Sequence, residues 1–277
     1  MNSIWSDSID KKNSLFYELP NPLKELVGII YQQRYGELYE VEPQTKIYLQ
    51  DAIENILNAF ISNNPTLTHL RYVWMALIMA IVVEPTVKYY EPDSFITEEI
   101  TTRLAVWLIE TLKRKQISKT NKLKEVDEIL NVVHSIPINN KIASFQILCE
   151  ALNVYKNAIK ALDSKQSLEA LINILDDCLE GYAIFPGADG RRELFDWWLL
   201  DVLPASWCLL APTSMYLINK VQNDTSVVSD QALKLKKLSA VIWSIILESS
   251  EDEKRNNRLG FQNKSNKIVM NSKIGDN

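Results

Sequence analysis

Apolar residues recur every three to four positions along most of the chain, which is the period of an α-helix. The clearest stripes lie within residues 44–61, 94–113, 140–162 and 168–180, and Pro, Gly, Ser, Thr or Asn residues stand near their ends. Shorter helices are predicted from Leu23 to near Gly36, over residues 123–134, and from Pro204 onward. No stretch shows the convincing alternation of a half-buried β-strand. We therefore predict an all-α fold of roughly ten helices, arranged as a multi-helix bundle or a HEAT-like helical stack.

One apolar segment differs from these amphipathic stripes. Tyr72 to Val83 is a run of 12 consecutive apolar residues. A helix that crosses a bilayer needs about 20 apolar residues, so this run is too short to indicate a membrane span. We predict a helix buried on all sides at the centre of the fold, ending before Pro85. Residues 84–93 would then form a loop bounded by two prolines.

Changes in polarity along the chain suggest a domain division. Residues 1–22 are mixed in character and are predicted to be a partly ordered N-terminal segment. Residues 23–248 are predicted to form a single all-helical domain, with a weak subdivision near the polar linker 114–122. Residues 249–277 are polar and charged, and we expect a disordered tail there.

Composition narrows the class of protein. Only 7 of the 277 residues are glycine, which argues against the hairpins and phosphate-binding loops that depend on it. The formal net charge of −5 gives no electrostatic reason to expect nucleic-acid binding. The N-terminus lacks the charged and apolar regions of a secretory signal, and we expect a cytoplasmic protein that does not bind a membrane.

Few residues suit catalysis. The two histidines, His69 and His134, leave little basis for histidine-dependent catalysis or metal binding, and phosphate-binding and zinc motifs are absent. The motif DDCLE, with Asp176, Asp177 and Glu180, resembles the acid-rich helices of metal-dependent enzymes of prenyl chemistry, but a solvated helix face explains it as well. We therefore predict a protein that is not an enzyme and needs no cofactor or metal.

The densest combination of charged and aromatic residues lies between Gly187 and Trp207. Adjacent tryptophans, Trp197 and Trp198, point about 100° apart on a helix and can serve two packing surfaces. Arg192 and Asp196 are spaced i, i+4, which places opposite charges on one helix face. Asp201 lies on the apolar side, where a carboxylate must find a donor or stay near water.

Residues 190–207 (GRRELFDWWLLDVLPASW) resemble an all-helical immunity-protein family of bacterial polymorphic toxin systems, the fifth in that numbering. The resemblance consists of paired arginines, an aromatic WW helix and a small-residue segment after a proline. It implies a cytoplasmic antidote, made beside a toxin and blocking it by direct binding; in related systems the toxins are often nucleases. The residues that carry it are Arg191, Arg192, Phe195, Trp197, Trp198, Asp201 and Pro204.

On this interpretation the motif residues hold the fold, and other residues bind the partner. Acidic and aromatic side chains would attract a basic toxin domain, and the chain has two such groups. They are Glu37, Tyr39, Glu40 and Glu42 in one region, and Tyr89, Tyr90, Glu91 and Asp93 in another. The alternative hypothesis is a helical scaffold or adaptor in a larger intracellular complex. The oligomeric state is left open by both.

Overall fold

The computed structural model describes residues 14–40, 47–113, 142–184, 190–216 and 229–249, without the side chains of 142–145. All regular structure in these ranges is helical, which confirms the all-α prediction; the described ranges contain slightly fewer helices than the roughly ten predicted for the whole chain. The helices are α1 (Asn21–Tyr31), α2 (Leu49–Ala59), α3 (Pro65–Tyr90), α4 (Ile96–Leu112), α5 (Ile142–Lys160), α6 (Ser167–Leu179), α7 (Arg191–Trp197), α8 (Leu203–Cys208) and α9 (residues 229–249). Short 3₁₀ helices cover Ser14–Glu18 and Gly36–Leu38.

Several predictions fall outside these ranges. The linker at 114–122, a helix expected over 123–134, the polar tail from 250 onward and Glu42 are not among the described residues. The predicted helix boundaries inside the described ranges are mostly close to the observed ones. The first predicted helix, expected to end near Gly36, instead ends at Tyr31.

Helix α3 forms the centre of a helical bundle. Every residue from 70 to 87 is buried, and the helix packs against α4, α5, α6 and α8. A central helix surrounded by others is the packing of a bundle, whereas units of a repeat stack contact mainly their neighbours in sequence. By length and composition alone α3 could cross a membrane, but most of its apolar window is buried inside the protein, as in the core helix of a globular fold.

The prediction that this helix ends before Pro85 is wrong, because α3 continues through Pro85 to Tyr90. Proline inside a helix removes the N–H that would bond the fourth preceding carbonyl, and this costs about 3 kcal/mol. Here that carbonyl, Ile81 O, instead accepts a hydrogen bond from Gln231 Nε2 on α9 at 2.6 Å. The predicted loop at 84–93 is thus helical up to Tyr90.

Pro204 lies in the first turn of α8, as predicted for the start of a helix, although α8 is not separated from α7. Helix α7 passes into α8 through a π-helical turn, Trp198–Val202, without a break. The N–H of Leu203 bonds to Trp198 O, five residues back. This wider turn changes the bonding register just before Pro204, so the chain stays helical past the proline.

The end of α8 is fastened to α3 and α9 by side-chain donors. The last carbonyls of a helix have no partner within the helix and need donors from elsewhere. Four consecutive carbonyls receive them: Trp207 O from Arg71 Nε (2.9 Å), Cys208 O from Trp243 Nε1 (3.2 Å), Leu209 O from Ser239 Oγ (3.1 Å) and Leu210 O from Trp74 Nε1 (2.8 Å). These four hydrogen bonds join residues 207–210 to the central helix α3 and to α9.

Candidate functional site

Arg191, in the first turn of α7, is almost completely buried, with 1% of its surface exposed. Its Nη1 donates hydrogen bonds to Leu179 O, at 2.7 Å, and to Glu180 O. Both carbonyls lie at the C-terminal end of α6, where a positive charge is favourable because the carbonyl dipoles point outward. Arg191 therefore caps α6 and joins it to α7.

Two tyrosine rings cover this guanidinium. The ring centroids of Tyr39 and Tyr182 lie 4.7 and 5.2 Å from Arg191 Cζ, within the range of cation–π attraction. Tyr39 has a left-handed backbone with φ 58°, and 61% of its surface is exposed. A bulky residue seldom adopts this conformation, so its surroundings must hold it there.

Arg192 fastens the loop between α1 and α2. Its guanidinium donates to Gln33 O at 2.7 Å and to Tyr31 O, and its Nη1 lies 3.4 Å from a Glu40 carboxylate oxygen. The predicted pair with Asp196 is present, with 2.8 Å between Nε and Oδ1. Burial raises the pKa of Asp196 to about 6 even though Arg192 opposes this shift.

The two described carboxylates of this loop, Glu37 and Glu40, form hydrogen bonds within the protein. Glu40 also accepts a hydrogen bond from the Tyr35 N–H at 2.7 Å, and Glu37 accepts one from the Leu49 N–H at 3.2 Å. The second bond caps the start of α2. We call Arg191, Arg192 and the residues they contact the arginine junction. Of the acidic side chains proposed for a partner, Glu40 lies in this junction and Glu37 bonds to the start of α2.

The two adjacent tryptophans pack on different surfaces. Trp198 is fully buried and stacks on Phe195, with ring centroids 5.9 Å apart and planes 23° apart. Trp197 donates from Nε1 to Ser214 O at 2.9 Å and lies against Tyr216. Together they join the π-helical segment to the core and to the chain after α8.

Asp201 has found donors at the surface. Its carboxylate accepts hydrogen bonds from the hydroxyls of Ser214, at 3.0 Å, and Thr213. Tyr216 OH donates to Gly190 O at 3.1 Å. Residues 213–216 are thereby tied to α7 and to the turn after it.

The acidic motif of α6 carries unusual protonation behaviour. Burial, together with the nearby charges of Asp176 and Glu150, raises the pKa of Asp177 to about 7. Burial also raises the pKa of Asp176 and of Glu180. Across the described residues, however, no three His, Cys, Asp or Glu side chains are grouped to hold a metal ion.

A second region presents similar residue types to solvent. We call Tyr89, Glu91, Asp93 and Phe95, between the last turn of α3 and the start of α4, the turn surface. Tyr89 is 67% exposed and Phe95 is 80% exposed. Tyr90 is half-buried and contacts the Tyr89 ring edge-on at 5.1 Å. Neither Glu91 nor Asp93 forms an ion pair with any residue that the structure describes.

Sequence reasoning missed three residues of these regions. Phe95 follows Ser94 at the start of a helix, where an apolar residue is usually assigned to the core. Gln231 bonds to Ile81 O, 150 residues away, and no local sequence pattern marks it. The ring of Tyr182 contacts Arg191. The one signal for Tyr182 in the sequence is that an aromatic residue directly follows Gly181, where the helix is predicted to end.

Comparison of the chain with known protein families, curated proteins and solved structures found no match. The resemblance of residues 190–207 to immunity proteins therefore stays a prediction. What the geometry contributes is a distinction between the two acidic and aromatic regions.

Proposed function

We propose that the chain is a non-catalytic, cytoplasmic immunity protein that neutralises a cognate toxin by binding it directly. The observation that carries the proposal is the turn surface, where two large aromatic rings are exposed beside two carboxylates that form no ion pair with the described part of the chain. Exposed aromatic groups are expensive to keep in water and are enriched in protein–protein contacts. Tyr89 and Phe95 are therefore the proposed anchors.

The partner that fits this surface is a basic protein domain. Glu91 and Asp93 add negative charge around the rings, and complementary charge speeds association and favours basic partners over acidic ones. A toxin that acts on nucleic acid is basic where it contacts phosphates. In this proposal the arginine junction has a separate task, because its charged groups are engaged inside the protein.

The test is co-purification of the full chain with the product of the adjacent upstream gene, followed by rescue of toxin-expressing cells. We expect binding and rescue, with a Kd that rises with salt concentration. Tyr89→Ala and Phe95→Ala should each weaken binding by roughly tenfold or more, as aromatic anchors do. Tyr48→Ala is the matched control, since Tyr48 is 71% exposed at the start of α2.

Each result has a defined meaning. Absence of binding by the folded protein would contradict the immunity proposal. Binding without rescue would favour the alternative, a helical scaffold or adaptor. Equal weakening by the Tyr48 control would show that the turn surface is not the contact region.

A further inference from the structure

Pro85 leaves one carbonyl of the central helix without its usual donor. Residue 85 would normally donate its N–H to Ile81 O, and proline has no N–H to give. Gln231 Nε2, from α9, donates to that same oxygen at 2.6 Å. Gln231 is 4% exposed, so its amide is committed to this contact rather than to water.

We propose that Gln231 is a positioning residue that supplies the donor missing at Pro85 and thereby sets the direction of the last turn of α3. That turn carries Tyr89, so the inference deepens the proposed function and rests on it for its biological meaning. Helices bend at proline because the local hydrogen-bond ladder is interrupted. A donor from another helix restricts that bend to one direction.

Two ion pairs form at Glu84, the residue before Pro85. Glu84, buried beside Pro85, lies 2.5 Å from Lys88 Nζ and 3.3 Å from Lys234 Nζ. Gln231 and Lys234 are three residues apart, so they share one face of α9. α9 therefore contacts α3 at two points, Ile81 and Glu84, in the turn before Pro85.

A second helix, α5, also donates a hydrogen bond to this part of α3. Tyr155 OH, on α5, donates to Ala80 O at 2.6 Å, one residue before Ile81. The consecutive carbonyls of Ala80 and Ile81 thus receive donors from two separate helices, α5 and α9. Without Gln231, Ile81 O would be a buried acceptor with no amide to replace the one that proline lacks.

A double-mutant cycle tests the assignment. The four full-length proteins are the parent, Gln231→Leu, Pro85→Ala and the double variant; leucine and glutamine have similar helix propensity and size. In the parent background, Gln231→Leu should raise the equilibrium constant for unfolding roughly tenfold, the effect of orphaning one buried acceptor. With alanine at position 85 the N–H returns, and the same change should have less than about a threefold effect.

Hydrogen exchange gives the positional readout. The Glu91 N–H bonds to Val87 O at 2.8 Å and so reports on the last turn of α3. Its exchange should accelerate in Gln231→Leu more than that of amides in the middle of α3, and return to the parent rate in the double variant. Lys237→Leu, at an exposed position of the same helix, should leave both quantities unchanged.

Equal unfolding effects of Gln231→Leu in the two backgrounds would overturn the proposal, as would unchanged exchange at Glu91. If Gln231→Leu does not fold, Gln231→Asn, which keeps the amide but is one methylene too short, replaces it in the cycle. The cycle uses no partner protein. A failed cycle therefore leaves the binding proposal standing, and absence of toxin binding leaves the cycle standing.

Discussion

The arginine junction and the turn surface contain the same kinds of residue, tyrosines beside carboxylates, and use them in opposite ways. In the junction Glu40 forms an ion pair with Arg192, and the Tyr39 ring packs over the guanidinium of Arg191. At the turn surface Tyr89 and Phe95 face solvent. The difference is the presence of two arginines, Arg191 buried and Arg192 half-buried, whose contacts occupy the tyrosine and carboxylate of the junction and join helices there. Acidic and aromatic composition alone does not identify a contact site.

The largest expected contrast is between buried and exposed aromatic rings. Trp198→Ala should lower the free energy of unfolding by about 3–5 kcal/mol, because it leaves a cavity in the core. Phe95→Ala should change it by less than about 0.5 kcal/mol, since that ring contributes little to packing. Urea denaturation measures both. A loss below about 1 kcal/mol for Trp198→Ala would mean that the ring is not part of the core.

Two arginine ion pairs at i, i+4 spacing provide the next contrast. Arg192→Ala should cost about 2–3 kcal/mol, because Gln33 O, Tyr31 O and two carboxylates lose a charged donor. Arg103→Ala, which removes an exposed pair with Glu99, should cost less than about 0.5 kcal/mol. Thermal and urea unfolding report the difference. Similar losses for both variants would mean that the junction is no stronger than a surface pair.

A third contrast uses pH, with opposite signs for two carboxyl groups. The pKa of Asp177 is raised to about 7, so its contribution to the free energy of unfolding is present below about pH 4 and lost as pH rises towards 7. Asp177→Asn should therefore be more stable than the parent at pH 8, by more than about 1 kcal/mol. The pKa of Asp163 is lowered, chiefly by the Lys165 backbone N–H.

Asp163→Asn is the control for that prediction, because its stabilising contribution is present at neutral pH and is lost as pH falls. The parent and both variants are compared by urea denaturation between about pH 4 and 8. A profile for Asp177→Asn parallel to that of the parent throughout would refute the burial-driven shift at Asp177.

The smallest expected effect concerns the backbone of Tyr39. Tyr39→Gly relieves the left-handed conformation but gives up the ring over Arg191, and we expect a net change within about 1 kcal/mol. Tyr39→Ala keeps the strain and also loses the ring, so it should be less stable than the glycine variant by about 1 kcal/mol. The glycine variant should still bind the proposed partner, because the proposed contacts lie at the turn surface.

The positions of most helices were predictable because helix formation depends on local spacing of apolar residues. The central helix could likewise be recognised from its apolar run. The error at Pro85 has a tertiary cause. Rules for proline consider only the chain near it, whereas Pro85 lies in a helix that receives a donor from Gln231, 150 residues from Ile81.

The candidate site was less predictable for the same reason. Arg192 and Glu40 are 152 residues apart, and nothing in the sequence near Glu40 indicates that its carboxylate pairs with an arginine. Glu91 and Asp93 lie beside tyrosines, as Glu37 and Glu40 do. The sequence therefore presented both groups as equal candidates for binding a partner. Only the packing of α7 against the α1–α2 loop separates them.

By itself the sequence determined an all-helical protein with a buried central helix, because a 3.6-residue apolar period and helix-ending residues act over a few positions. Tertiary structure decided which prolines the helices pass through, which carboxylates are neutralised and which aromatic rings stay in water. Those outcomes depend on donors and charges brought from distant parts of the chain, and such partners are defined only once the helices have packed.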